Sequence, residues 1–278
     1  MKKIISILLL LIQFSCSTPT PKPEGLMLKV QYQPETKYLV STIRGTETVI
    51  TYSGQEIAMK ELRRMNIKNP TISKVKTKTD TELVTAERLK DGRIPISIKY
   101  KKTMSLDGQN EIPEGTLVFG EIKNDQLPTF NTVASSSLNL DQQSQLLEIV
   151  KNTYDQFKFP EKLLKIGEQF SMDRPVSLPM EGSEIQTVIT TTYKLLRINN
   201  GMAQFEISQV YKMDPVMMDN SFIGKGSGKG QLNFDIAKSL ISDYSIKTEL
   251  VMNKKLNYFE FDLKTVNEFS QTTQIAKL

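Results

Sequence analysis

The chain has 278 residues, 38% hydrophobic and 24% charged, enough for one large or two modest domains with a sizeable core. It contains no histidine, no tryptophan and one cysteine, which excludes imidazole-based hydrolysis, nearly all zinc chemistry, an internal disulfide and a CxxC redox pair. The net charge of +5 falls to +3 without Lys2 and Lys3, and its interleaving with acid argues against a nucleic-acid partner.

Met1, Lys2 and Lys3 form a short positive stretch, followed by an apolar run over residues 4–12 broken only by Ser6. At a rise of 1.5 Å per residue that run covers about half of a bilayer core of about 30 Å, so it reads as a signal-peptide segment rather than a transmembrane helix. Cys16, preceded by Ser15, stands where a lipoprotein signal carries its modified cysteine, although Gln13 and Phe14 depart from the usual small and aliphatic residues. Residues 1–15 are therefore expected to be a lipoprotein signal peptide. Cys16 is the expected lipid-attachment site and the link to a membrane. The alternative is a conventional signal peptide cut nearby. Residues 16–25 are Pro-rich and polar, a tether unsuited to a packed core. Ser17 after the cysteine suggests an outer-membrane anchor, with the body facing the periplasm.

Alternation of apolar and polar residues dominates the remainder. Leu26, Leu28, Val30 and Tyr32 open the pattern, and strand-like runs follow at 38–43, 48–52, 72–78, 81–89, 94–104 and 117–122. In the second half they recur at 169–173, 186–198, 203–213, 228–234, 242–251, 258–263 and 269–275. Asp91-Gly92, Asp107-Gly108 and Asn200-Gly201 are hairpin dipeptides, so the strands are expected to form antiparallel meanders. Residues 55–66 fit either a helix face (Ala58, Leu62, Met65) or a β-ribbon. Residues 141–157 are helical: Leu146, Leu147, Val150, Tyr154 and Phe157 form one stripe, Asn139 or Ser137 can cap it, and Pro160 ends it. Lys74, Lys76 and Lys78 alternate on what reads as a solvated strand face.

The order of features repeats. The hairpin around Asp91-Gly92 corresponds to that around Asn200-Gly201, and Gly115-Thr-Leu-Val-Phe119 corresponds to Gly230-Gln-Leu-Asn-Phe234. Phe130 then answers Tyr244, and Glu35-Thr-Lys-Tyr38 answers Gly167-Glu-Gln-Phe170. The expected fold is mainly β, with two related half-barrel-like halves at 26–135 and 161–278. A helix at 136–160 lies between them, and the two halves share one core.

No catalytic site, cofactor site or metal-ligand spacing emerges. Gly224-Lys-Gly-Ser-Gly-Lys-Gly230 fails the phosphate-loop pattern, because Gly230 follows Lys229 and Ile223 stands where the first glycine belongs. Gly224, Gly226, Gly228 and Gly230 fall on one side of a strand, as a packing surface or a ligand-facing floor. Met213 and Met217 can line an adaptable apolar pocket or fill a core gap. Glu56/Glu61 and Glu260/Asp262 read as solvating charges.

Cys16, residues 167–170, residues 226–230 and Phe234-Asp235 together resemble a family of bacterial lipoproteins built on a domain of unknown function. There a lipobox precedes a long meander, a mid-chain helix leads into a Gly-x-x-Phe strand, and a Gly-x-Gly strand follows. The resemblance implies a strand-rich fold and an envelope location, and brings no active site. The architecture is also similar to lipid carriers of the lipoprotein-localisation type. The function expected is that of a non-enzymatic envelope lipoprotein binding an apolar ligand, such as a lipid, or an envelope protein partner on a curved sheet. The alternative is a structural or adhesive module without a cavity.

Overall fold

The computed structural model describes residues 25–105, 112–124, 126–180, 183–213, 222–255 and 258–276. The signal segment 1–15, Cys16, the tether through Glu24, the Asp107-Gly108 dipeptide and Met217 lie outside the described residues.

The first half contains β1 (Leu26–Met27), β2 (Lys37–Gly54), helix α1 (Glu56–Arg64), β3 (Thr71–Thr85), β4 (Ile94–Ser105), β5 (Leu117–Ile122) and β6 (Thr129–Ala134). Helix α2 (Leu140–Asp155) follows. The second half contains β7 (Leu163–Leu164), β8 (Gln169–Met180), β9 (Ser183–Asn199), β10 (Met202–Met213), β11 (Phe222–Asp235), β12 (Leu240–Lys255) and β13 (Phe259–Ala276). β1 pairs with β7. The other eleven strands form one antiparallel sheet, ordered β6-β5-β4-β3-β2-β13-β12-β11-β10-β9-β8, that does not close into a barrel.

The mainly β architecture and the helix between two meanders match the expectation. The two meanders are joined into a single open sheet, because β13 lies between β12 and β2 and pairs with both. Several strands are also longer than their alternating runs: 38–43 and 48–52 merge across Gly45 into β2, and 258–263 and 269–275 merge into β13. A glycine in a strand needs no bulge when its neighbours on both sides continue the ladder. Conversely, residues 28–33 alternate but pair with no strand: Leu28 and Val30 bury their side chains in the core while the backbone crosses the end of the sheet. Alternation reports two different environments, not the presence of a ladder partner.

The ambiguous stretch 55–66 forms helix α1 over Glu56–Arg64. Leu62 is its buried contact, and Glu56 and Glu61 pair with Arg63 and Arg64 at 2.8 and 2.9 Å. Helix α2 starts at Asn139, whose side chain accepts from the Gln142 amide (2.9 Å) while the Gln142 side chain accepts from the Asn139 amide (3.0 Å). This reciprocal cap satisfies two otherwise orphaned donors.

The sheet must curl. Ten strand spacings would separate β6 from β8 by about 48 Å in a flat sheet. Yet α2, about 24 Å long, packs on β6 and also lines a cleft with β8 and β9. The helix therefore occupies the slit between the two free edges, on the concave face.

The repeat is visible in the pairing register. Tyr38, Leu83, Ile98, Val118 and Val133 lie side by side across β2 to β6. Phe170, Tyr193, Ile207, Gly230 and Ile246 do the same across β8 to β12. One step along, Gly120 faces Phe130 as Leu232 faces Tyr244. Positive-φ residues precede both meanders, Glu35 (φ 49) before Tyr38 and Gly167 (φ 90) before Phe170. The match of Gly115 to Gly230 is out of register. Gly115 sits in a turn at φ 84, and the row partner of Gly230 is Val118. Each meander has its own apolar core, and Tyr32 packs against both.

Phe205 is fully buried in the second core. Phe205→Ala is expected to lower the unfolding free energy by about 3–5 kcal/mol, read as a lower urea midpoint at unchanged slope.

Candidate functional site

Residues paired directly across neighbouring strands share a face, so the register assigns each side chain to the concave or convex side. On β2 the even-numbered residues face α2, among them Val40, Thr42 and Arg44. On the convex side Lys74 pairs with Glu47 (2.9 Å), Lys78 with Asp80 (3.5 Å), Lys247 with Glu268 (2.7 Å) and Lys264 with Glu249 (3.0 Å). That side is a solvated lattice of ion pairs, three of these four running between neighbouring strands and Lys78–Asp80 along β3, each of small energetic weight.

Helix α2 leaves a cleft on either side of itself. The smaller, about 260 Å³, lies between α2 and strands β2, β3, β4 and β13. Its walls combine apolar side chains (Val40, Ile98, Ile149, Val150, Phe157) with a row of hydroxyls from Thr42, Thr77, Thr79, Thr81 and Thr273. Among the described residues Arg44 is the single charged one in the lining. Its guanidinium donates to Thr153 Oγ1 at 3.4 Å and lies 5.4 Å from the centre of the Phe269 ring. Among the described residues no carboxylate lies within ion-pair distance of it. Arg44 is exposed at the mouth of the cleft, and the part of its side chain that the walls cover draws its pKa below the usual arginine value; Tyr100 opposes this. The Thr103 hydroxyl, also in the lining, is hidden from solvent and has no hydrogen-bond partner among the described residues.

The larger cleft, about 640 Å³, lies between the C-terminal end of α2 and strands β8 and β9. It carries mixed charge: Arg174 on its floor, Asp173 bonded to Thr190 (2.6 Å), and Lys158 paired with Asp155 (2.6 Å) on the helix side. Each cleft thus receives one arginine from the first long strand of its meander.

Tyrosines line both clefts and the space between. Tyr32 meets Tyr38 edge-on at 5.2 Å, and Phe130 lies 4.9 Å from Tyr154. Burial raises the hydroxyls of Tyr32, Tyr38, Tyr154 and Tyr193 above their ordinary value and lifts those of Tyr100 and Tyr244 to about 12. These groups are neutral hydrogen-bonding hydroxyls at physiological pH.

The glycine row lies on the concave face of β11 but lines neither cleft. A Cβ on Gly226 would meet the Tyr211 ring at 2.8 Å, and one on Gly228 the Thr248 methyl at 2.8 Å. Neighbouring side chains lie across the bare backbone and roof it. A Cβ on Gly230 would instead collide with the backbone carbonyl of Ser245 at 2.1 Å. Met213 packs beside Tyr211 against Leu250 and Met252 in a small third cluster, and Met217 is outside the described residues. Gly224 faces Met252 across the same ladder. Glu260 and Asp262 both accept from Asn253, at 2.5 and 2.9 Å. Among the described residues no group of three His, Cys, Asp or Glu side chains could hold a metal ion, and no helix is long and apolar enough to cross a membrane.

Arg44 was not among the residues singled out from sequence. The signal was present but faint: it is the one basic residue on the concave-facing parity of β2 between Tyr38 and Tyr52.

No protein-family model matches the chain, and no curated protein matches it. Among solved structures, the crystal structure of Pseudomonas aeruginosa OpdQ aligns over 86% of this chain and 99% of that chain, at 8% identity and a TM-score of 0.22. A likeness that slight carries no argument about fold or function.

Two outcomes follow from this geometry. The folded state holds tyrosine protons that the unfolded chain releases above about pH 10. Thermal stability is therefore expected to be insensitive to these groups below pH 10 and to fall as pH rises from there towards their raised pKa values, measurable as melting midpoints across that window. Gly230→Ala is expected to destabilise more than Gly226→Ala, because a carbonyl cannot rotate away as a ring can; chemical denaturation of the pair checks the order.

Proposed function

We propose that this chain is a non-enzymatic lipoprotein of the bacterial cell envelope that holds an apolar or amphipathic ligand on the concave face of its sheet. The observation that carries the reading is the pair of clefts beside α2. An open sheet curled around a helix that fills its slit only in part leaves apolar and hydroxyl-bearing walls in contact with solvent. Such walls suit a ligand with an extended apolar body and a few polar atoms.

Supporting the envelope location are the positive N-terminus, the apolar run 4–12 and the lone cysteine at position 16, followed by a Pro-rich tether. In this reading Cys16 carries the acyl groups and the body is tethered at the outer membrane, facing the periplasm. A purely structural or adhesive role would use the free sheet edges. α2 packs against β6, and β8 carries Pro175 and Pro179, which offer no backbone N–H to an added strand. The edges are thus poorly suited to recruit a partner by strand addition, which favours the cleft.

Two experiments test this. In the native host, Cys16→Ser is expected to release the chain from the membrane fraction and to remove the acyl mass from the mature protein. Organic extraction of the purified chain is expected to yield a stoichiometric lipid or other apolar molecule. Recovery of an empty protein that also binds no added amphiphile would exclude the carrier role.

A further inference from the structure

We infer that the smaller cleft takes a single negative headgroup carried on an apolar chain, with Arg44 as its counter-charge. The inference rests on the proposed concave-face binding and specifies the chemistry of the ligand.

The argument begins with an imbalance of charge. Convex-face lysines at 74, 78, 247 and 264 have carboxylate partners. Arg44 has a threonine hydroxyl and an aromatic ring, and no acid among the described residues that line the cleft. A guanidinium held among apolar and hydroxyl-bearing walls, with water partly stripped away, gains from any anion that can reach it. Its five donors in a planar fork match two oxygens of a carboxylate or a phosphate, and among the described residues only Thr153 takes a hydrogen bond from it.

The surroundings select which anions can follow. Thr42, Thr77 and Thr79 flank Arg44 with further hydroxyls, and the hidden hydroxyl of Thr103 has no partner among the described residues. Beyond these, Val40, Ile98, Val150 and Phe157 form a floor that offers nothing to a second charge. At about 260 Å³ the cleft holds roughly the volume of nine waters, taking about 30 Å³ each. That is room for a headgroup and a short apolar segment. Ile149 is half exposed at the rim, so a longer chain meets apolar surface where it leaves the cleft. The larger cleft carries charges of both signs, with Lys158 paired to Asp155 and the carboxylates of Asp155 and Asp173 in the same lining as Arg174, and so provides no single-sign seat.

The test uses the full chain carrying Cys16→Ser, delipidated, and isothermal titration with dodecanoate, dodecyl phosphate, dodecanol and inorganic phosphate below micelle-forming concentrations. At least one of the two anionic amphiphiles is expected to bind about tenfold or more tighter than dodecanol, as one charge-assisted bidentate contact implies. The stronger of the two identifies the head as carboxylate or phosphate. Arg44→Gln is expected to erase that preference while leaving dodecanol binding within about twofold, and Arg44→Lys to restore part of it. Added salt is expected to weaken the anionic arm alone. Equal affinity for dodecanol and both anions, or an unchanged preference in a folded Arg44→Gln chain, would overturn the inference and leave the apolar-ligand reading intact. Inorganic phosphate binding as tightly as the amphiphiles would overturn it as well, in favour of a plain anion site. If no amphiphile bound at all, the proposed function would fall together with it.

Discussion

Lys37 of β2 stands opposite Ala276 of β13, and the ladder runs from there to Gly54 opposite Phe259. This pairing joins the first long strand of the chain to the last. Without it there would be two meanders, each with an additional unpaired edge. With it there is one sheet of eleven strands, wide enough to curl. The contact is as non-local as the chain permits, so its loop-closure entropy must be offset by a long ladder of backbone hydrogen bonds and by burial along both flanks.

Curling sets the chemistry of the two faces apart. The convex face lies in water and is tied together by exposed ion pairs, each worth little and screened by salt. The concave face is shared between two demands. Near one end it packs two apolar cores against α2 and the crossing segment that contains Leu28 and Val30. Farther along the strands, threonines replace the aliphatic residues, since a β-branched hydroxyl suits a pleated strand and tolerates partial exposure. One helix cannot cover an eleven-stranded surface. The clefts are the geometric remainder of that mismatch, and Arg44 occupies one of them.

The two meanders show how a shared register can persist while the residues filling it change. Leu83 in one row corresponds to Tyr193 in the other, and Ile96 to Phe205. The first core uses aliphatic residues below the Tyr32, Tyr38 and Tyr154 cluster; the second uses larger rings on its strands and a smaller residue, Ala203, where the first has Ile94. Volume is exchanged between facing positions and the total stays packed, which is how interiors accept substitution. The glycine row on β11 belongs to the same exchange: Tyr211 lies where side chains on 226 would otherwise stand.

Locally encoded features could be read from the chain itself. The Asn139 cap and the stripe from Leu146 to Phe157 announce α2. Asn200-Gly201, both at positive φ, makes the hairpin that the dipeptide promises, and the correspondence of Tyr38 with Phe170 and Phe130 with Tyr244 survives in the register. Each depends on contacts within a turn or between neighbouring strands, where residue type and spacing carry the physical cause. The insertion of β13 beside β2, the merging of short runs into strands of up to eighteen residues, and the meeting of Arg44 with Thr153 across the cleft could not be read in this way. Parity along a strand tells which face a side chain takes. It does not tell which distant segment covers that face, because that choice is made by the whole sheet closing around one helix.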